Sequence, residues 1–138
     1  MIDESTGLGA LVARHLRDDR IVWLTTVTRG GAPLPAPVWF WWDGHDDVFV
    51  FSLPDTPRTR NIEHNPKVSL NFAGDGSGGD IVILSGRARL EGGSADQLAP
   101  FVKKYGWGFE SLRMTPEQFA AKYSVPIRVT LTKVRGHK

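Results

Sequence analysis

The chain is dominated by short runs of β-branched and aromatic residues, each followed by a turn rich in glycine, proline, asparagine or aspartate. Runs of this length and composition are typical of β-strands. Six strands are predicted, at residues 20–28, 35–42, 48–53, 67–72, 80–90 and 125–134. The first three are expected to form a meander. Short helices are predicted at residues 7–19, 57–64, 94–105 and 115–124.

Many short strands with helices at the corners favour a mainly β fold, a small six-stranded antiparallel barrel. At 138 residues, 41% of them hydrophobic, the chain is expected to be a single domain with one core. Residues 1–7 and 135–138 are expected to be flexible ends.

The composition argues against several classes of function. A net charge of +2 without a Lys/Arg run argues against nucleic acid as a partner. The apolar runs at residues 38–42 and 48–51 are too short to cross a bilayer. The absence of cysteine excludes disulfides and thiolate metal sites, and it fits a cytoplasmic protein. The four histidines lack metal-ligand spacing, so no metal site is predicted.

The predicted strand at residues 35–42 is apolar on both faces. Alternation places Val38, Phe40 and Trp42 on one face and Trp39 and Trp41 on the other. A barrel interior accepts only one of these faces. The other face is therefore expected to be covered by a second copy of the chain, as a homodimer, or alternatively by the chain's own helices.

A basic helix start follows the third predicted strand. Thr56 is a predicted N-cap and Pro57 a predicted first helical residue. The first turn then carries Arg58, Thr59, Arg60 and Asn61. Free N–H groups and the positive end of the helix dipole, together with two guanidiniums, favour binding of a phosphate. The alternative is that both arginines are simply solvated.

A family resemblance rests on two segments. The run FVFSLPDTPRTRNIEHNPKVSLNF at residues 49–72, followed by ILSGRARLE with Gly86 near its middle, resembles the pyridoxamine 5′-phosphate oxidase-like split β-barrels. Within them the chain looks most like the actinobacterial flavin/deazaflavin oxidoreductases of the B type. The resemblance implies an FMN-binding split-barrel fold and homodimers that bind FMN or coenzyme F420 in clefts at the subunit interface.

The resemblance also implies a set of cofactor-binding residues. The cofactor phosphate is expected at Arg58, Thr59, Arg60 and Asn61, and the ring at Pro37, Val38, Trp39 and Ser52. The FMN-binding oxidases carry an arginine and a lysine on the strand before the basic helix. The segments APVWFWW and VFVFSL have neither, which favours F420 over FMN.

These features predict an oxidoreductase that uses reduced F420 to transfer a hydride to an unsaturated organic substrate. The cofactor supplies the hydride, so no catalytic side chain is required. The alternatives are an FMN-binding oxidoreductase and a protein that binds a flavin or deazaflavin without turnover. Replacement of Arg60 by alanine is expected to weaken cofactor binding by about tenfold or more.

Three aromatic residues, Tyr105, Trp107 and Phe109, lie in a glycine-flanked stretch that is predicted to bend the chain. They are predicted either to wall a substrate pocket or to seal the mouth of the barrel.

Overall fold

The computed structural model of the protein describes residues 1–92 and 98–138, with the backbone alone at residues 107 and 110. This part of the chain contains four helices, α1 (Gly7–Asp18), α2 (Pro57–His64), α3 (Leu98–Leu112) and α4 (Pro116–Lys122). It contains seven strands, β1 (Val22–Val27), β2 (Pro33–Val38), β3 (Trp41–Trp42), β4 (Asp47–Ser52), β5 (Lys67–Asn71), β6 (Ile81–Leu90) and β7 (Val125–His137). None of the helices is long and apolar enough to cross a membrane.

The seven strands form one sheet in the order β2-β1-β5-β6-β7-β4-β3, and every neighbouring pair is antiparallel. Strands β2 and β3 lie at opposite edges of this sheet, yet only Trp39 and Phe40 separate them in the chain. The sheet must therefore curl until its two edges approach one another. The prediction of a mainly β fold with short helices and an antiparallel, barrel-like sheet is confirmed, and the curl is consistent with a split barrel.

The prediction of six strands is wrong, because the segment at residues 35–42 forms two strands that pair with different neighbours. β2 pairs with β1, and β3 pairs with β4. Between them, the backbone N–H of Phe40 donates to the hydroxyl of Tyr105 at 3.0 Å, and the Phe40 carbonyl lies 3.0 Å from the same oxygen. The Tyr105 hydroxyl thus bonds the Phe40 backbone as a neighbouring strand would. The first three predicted strands therefore do not form the expected meander, because β2 pairs with β1 and β3 pairs with β4.

The inner face of the curled sheet holds the main hydrophobic core. Val38, Phe40 and Trp42 share this face, as their alternation predicts, and all three are buried there. Helix α1 adds Leu11, Val12 and Leu16 to the same core, and α2 adds Ile62. The two helices are therefore packed firmly against the barrel by their apolar faces.

The chain's own helices pack on the outer face of the strand segment that carries Trp39 and Trp41. The Trp39 ring is stacked on Tyr105 of α3 at 4.6 Å and on Phe119 of α4 at 6.0 Å. A Cβ atom on Gly108 would lie 2.5 Å from the Trp39 ring, so only glycine allows α3 to approach this closely. The helices, one of the two predicted covers, therefore pack on these tryptophans, and the homodimer stays a prediction.

The other boundaries agree with the predictions to varying degrees. The predicted cap of α3, Ser94, lies outside the described residues. The bend predicted at residues 106–108 appears one residue earlier, at Tyr105, whose φ of −114° and ψ of 20° leave the helical region. Helix α4 begins with a capping box between Thr115 and Gln118. β7 runs past residue 134 to His137, which pairs with Ile81.

Lys104 of α3 is an unusual buried cation that lies against the Phe40 ring. Its Nζ atom is buried and has no hydrogen-bond partner among the described residues. The atom lies 3.5 Å from the centre of the Phe40 ring. Burial lowers the pKa of Lys104 from 10.5 to about 8, against the weaker, opposite effect of Asp19 and Asp18. The protonated side chain therefore destabilises the fold at neutral pH.

Replacing Lys104 by methionine is expected to raise the free energy of unfolding at pH 7 by about 1–2 kcal/mol, after allowance for solvent screening of a partly exposed side chain. Because the folded pKa lies below the unfolded one, the wild type should gain stability between pH 8 and 10.5. The variant should lack that gain. Urea unfolding at several pH values measures both effects, with Lys103→Met, at an exposed neighbour, as the matched control. A destabilised Lys104→Met protein would contradict the prediction.

Candidate functional site

A cavity of about 380 Å³ lies where the start of α2, the end of β2 and the helices α3 and α4 meet. Its volume falls within the range of about 300–1,000 Å³ that is typical of small-molecule sites. Most of its walls are apolar or aromatic. The lining residues are Pro37, Val38, Trp39, Phe51, Leu53, Thr56, Arg58, Phe101, Leu112, Phe119 and Tyr123.

Arg58 is the one charged side chain among the described residues that line the cavity. It is half-buried, and burial lowers its pKa. Its one hydrogen bond to another described side chain is a long one, from Nη1 to Ser52 Oγ at 3.4 Å. No carboxylate of the described chain pairs with it. A guanidinium carries five N–H donors, so most of this capacity remains for an anion.

Local sequence explains how α2 places Arg58 at the cavity. Thr56 caps the helix by accepting a hydrogen bond from the Thr59 N–H at 3.2 Å, and Pro57 occupies the first turn. Asp55, with a φ of 55°, turns the chain between β4 and this cap. The predicted cap and helix start are confirmed. Because Pro57 has no N–H and the Arg60 N–H donates to the Thr56 carbonyl, the Arg58 N–H is the one first-turn donor that these described bonds leave, on the same residue as the guanidinium.

Four of the eight predicted cofactor residues line the cavity, namely Pro37, Val38, Trp39 and Arg58. Ser52 is buried behind it and contacts Arg58 through its hydroxyl. The structure thus brings the predicted ring-binding strand and one predicted phosphate ligand to the same site.

The other three predicted phosphate ligands do not line the cavity. The Thr59 hydroxyl donates to the Thr56 carbonyl at 2.9 Å, and Asn61 Nδ2 donates to Thr26 Oγ1 at 3.0 Å. These two buried side chains fix α2 to its cap and to β1. Arg60 is exposed, and its Nη1 donates to the Asp55 carbonyl at 2.6 Å.

Several lining residues were not predicted to belong to the site. They are Phe51, Leu53, Thr56, Phe101, Leu112, Phe119 and Tyr123. The capping box predicts α4 as a helix, but nothing in its sequence says that it packs over β2. Tyr105 and Phe109 are buried against Trp39 rather than at the cavity surface, so they seal the site from behind. The side chain of Trp107 lies outside the described part of the structure.

The titratable side chains that the structure describes outside the cavity do not assemble a metal centre. Among the described residues there is no group of three or more histidine, cysteine, aspartate or glutamate side chains that could hold an ion. His15 comes nearest, since it contacts Asp19 and Asp80, but it is buried and its ring nitrogens are both engaged. His15, Asp19 and Asp80 therefore form a structural contact between α1 and the turn before β6.

Comparison with protein families gives one extended match. The family described as "Pyridoxamine 5'-phosphate oxidase" matches residues 9–138, which is nearly the whole chain. None of the curated protein sequences matches.

Comparison with solved structures supports the same fold. An F420 reductase is 21% identical, with a TM-score of 0.65 over 94% of this chain and 97% of its own. General stress protein 26 from Bacillus anthracis is 18% identical, with a TM-score of 0.70 over 91% and 89%. An FAD-binding protein from Mesorhizobium loti is 18% identical, with a TM-score of 0.62 over 88% of each chain. At such identities the similarity concerns the fold alone.

Proposed function

Because the chain belongs to the pyridoxamine 5′-phosphate oxidase family, we propose that it is an oxidoreductase that binds a flavin-type cofactor in the cavity at Arg58. The observation that carries the proposal is a half-buried guanidinium without a carboxylate partner among the described residues, at one end of an aromatic cavity. This combination suits a ligand with an anionic linker and a flat apolar ring.

The preferred cofactor is reduced F420, and the preferred reaction is hydride transfer to an unsaturated organic substrate. Neither the segment at residues 33–42 nor β4 carries an arginine or lysine. FMN-binding oxidases use such residues, so their absence supports the deazaflavin branch of the B type. The name of one structural neighbour, F420 reductase, agrees with this choice, while that of the FAD-binding protein keeps a flavin as the alternative.

Each predicted site residue has a separate task in this proposal. Arg58 binds the anionic linker, and Ser52 orients the guanidinium. Pro37, Val38 and Trp39 flank the ring. Thr59 and Asn61 hold α2 in place, and Arg60 adds positive charge at the rim rather than a direct contact. When bound, the cofactor supplies the hydride, and the protein excludes water and orients the acceptor.

We also propose a homodimer formed through the outer face of β1 and β2. Trp23 is 39% exposed and Ile21 is 41% exposed, both high values for large apolar side chains. Trp23 pairs directly with Pro37, which lines the cavity. A second copy that covers Trp23 would therefore lie beside the same cavity.

Titration of the purified protein with F420 and FMN, side by side, tests the proposed function. Tighter binding of F420, followed by oxidation of its reduced form with enone or quinone acceptors, is the expected result. Binding of F420 without turnover on any acceptor would favour the sequestering alternative. Failure of both cofactors to bind would contradict the proposal.

Replacing Trp23 by glutamate is expected to convert the dimer to a monomer, because two charges would be buried at a symmetric apolar contact. Light scattering coupled to size-exclusion chromatography measures the mass. His45→Glu, at an exposed turn before β4, is the matched control and should remain dimeric. A monomeric wild type at micromolar concentration would contradict the proposed homodimer.

A further inference from the structure

Exposed cations from three neighbouring strands share the outer face of the sheet. We call them the cationic face, and they are Lys67 of β5, Arg87 of β6, and Lys133 and Arg135 of β7. Lys67 lies directly opposite Arg87. Lys133 lies opposite Ser85, two residues before Arg87 on β6, and Arg135 lies opposite Ile83, two residues earlier again. Opposed residues, and alternate residues along one strand, point to the same side of a sheet.

The cationic face has no counter-charge in the part of the chain that the structure describes. None of its four side chains forms an ion pair or a hydrogen bond with another described residue. Further along the same strands, Arg128 contacts both Glu91 and Asp47, and Arg89 contacts Glu91. The sheet therefore pairs its cations where carboxylates are near, and it leaves the cationic face open to an external anion.

The arrangement of these charges is unfavourable for the protein alone. Like charges at directly opposed positions of an antiparallel pair, such as Lys67 and Arg87, destabilise the pair. The cationic face also carries more than the whole net charge of +2, so the remainder of the chain is net acidic. Positive charge is thus concentrated on one surface rather than spread over the molecule, and an anion bound across it would relieve the repulsion.

The sequence does not reveal the cationic face. Its members come from three different strands, so no run of lysine or arginine appears in the chain. The expectation that nucleic acid is not a partner rests on that absence and on the small net charge. Neither of these observations reports cations that only the folded sheet brings together.

The chemistry between the cations favours a nucleic acid backbone over a protein. Ser69 and Ser85 lie opposite one another there, and serine hydroxyls commonly donate to phosphate oxygens. A protein partner would need a buried apolar centre with aromatic anchors, and the cationic face contains no aromatic residue. Trp23, which pairs with Asn71 of β5, belongs to the proposed dimer face on β1 and β2. Without a stacking platform for unpaired bases, a duplex is favoured over a single strand.

We propose that the cationic face binds the phosphate backbone of double-stranded nucleic acid without reading its base sequence. The ammonium groups of Lys67 and Lys133 and the guanidiniums of Arg87 and Arg135 contact phosphates, and release of counterions drives the binding. This activity is separate from the proposed redox function, because none of the described residues that line the cavity at Arg58 lies on β5, β6 or β7.

The affinity for a labelled duplex of about 20 base pairs tests the proposal, with fluorescence anisotropy as the measurement. The full chain is used without cofactor, so the outcome does not depend on whether F420 binds. Four phosphate contacts predict a slope of about −3.6 for log K against log salt, or a loss of about 100-fold in affinity between 50 and 200 mM. Two duplexes of unrelated sequence should bind equally well.

The double variant Arg87→Gln/Lys133→Gln should bind the duplex about 10- to 100-fold more weakly at 50 mM salt, with a slope that is less steep by about 1.8. Lys103→Gln/Lys122→Gln, at exposed positions of α3 and α4, makes the same change in net charge and should keep the wild-type slope.

Equal weakening in the two double variants would overturn the assignment to the cationic face, because the attraction would then follow net charge alone. A wild type that does not bind the duplex at 50 mM salt would overturn the proposal altogether. Tighter binding of a polyglutamate peptide than of the duplex, at equal concentrations of charge, would replace the nucleic acid by an acidic protein segment.

Discussion

Replacing Arg58 by alanine is expected to weaken F420 binding by about 10- to 100-fold while leaving the fold intact. A charge-assisted hydrogen bond to an anion contributes about 1.5–3 kcal/mol, and each 1.4 kcal/mol changes affinity about tenfold. The side chain is half-buried at the cavity and makes no ion pair with another described residue, so its removal breaks little else. Fluorescence titration measures the affinity, and circular dichroism checks the fold.

Arg60→Ala is the matched control for this experiment. Arg60 is exposed and donates to the Asp55 carbonyl outside the cavity, so its loss should change the affinity by less than about threefold. The sequence predicted a tenfold loss of cofactor affinity for Arg60→Ala, and the structure leads us to expect that loss for Arg58→Ala instead. An Arg60→Ala loss equal to that of Arg58→Ala would show that the anion lies at the exposed rim rather than in the cavity.

Local chemistry made parts of this structure predictable. Thr56 and Pro57 start α2, and Thr115, Pro116 and Gln118 start α4, because caps depend on a few adjacent residues. Alternation likewise predicted that Val38, Phe40 and Trp42 share one face, and all three are buried in the core. Where a structure depends on neighbours in the chain, the sequence is sufficient.

Contacts between distant residues were not predictable in the same way. The strand at residues 35–42 is split by the hydroxyl of Tyr105, which lies 65 residues from Phe40 in the chain. The cavity wall formed by Phe101, Leu112, Phe119 and Tyr123 is a second case, because no local pattern says which face of the barrel α3 and α4 cover. Only the assembled fold reveals either contact.

The distinction between Arg58 and Arg60 was within reach of the sequence. Residues two apart on a helix point in different directions, about 200° around the axis, so the two guanidiniums could not both face one cavity. The contiguous set of Arg58, Thr59, Arg60 and Asn61 implied by the family resemblance ignores this geometry. In the structure Arg58 faces the cavity and Arg60 faces solvent, while Thr59 and Asn61 are buried.

A second large effect is expected at His15, which joins α1 to the turn before β6. Its Nδ1 lies 2.6 Å from Asp19 Oδ2, and its Nε2 lies 2.9 Å from Asp80 Oδ1, which Arg14 also contacts. Both ring nitrogens can donate only when the imidazole is protonated. Burial lowers the pKa of His15, but the hydrogen bonds to Asp80 and Asp19 outweigh burial and hold the pKa above 6.5.

His15→Ala is expected to lower the free energy of unfolding by about 2–4 kcal/mol near pH 6, since it removes the imidazole partner of Asp19, leaves Asp80 with Arg14 alone and removes a ring stacked on Phe72. The stability that protonated His15 gives the wild type is fully present below pH 6.5, the pKa of the unfolded chain. It is lost as the pH rises through the higher pKa that His15 has in the folded protein. The difference between the two proteins should therefore shrink from pH 6 toward pH 8.

Denaturant unfolding at pH 6, 7 and 8 measures this dependence, and exposed His45→Ala is the matched control. The control should keep both the stability and the pH dependence of the wild type, because its ring is exposed to solvent. The hydrogen bond from His15 holds the pKa of Asp80 below 3.8, so the carboxylate stays ionised across this range. A His15→Ala deficit that is the same at all three pH values would mean that packing against Phe72, and not the charged imidazole, supplies the stability.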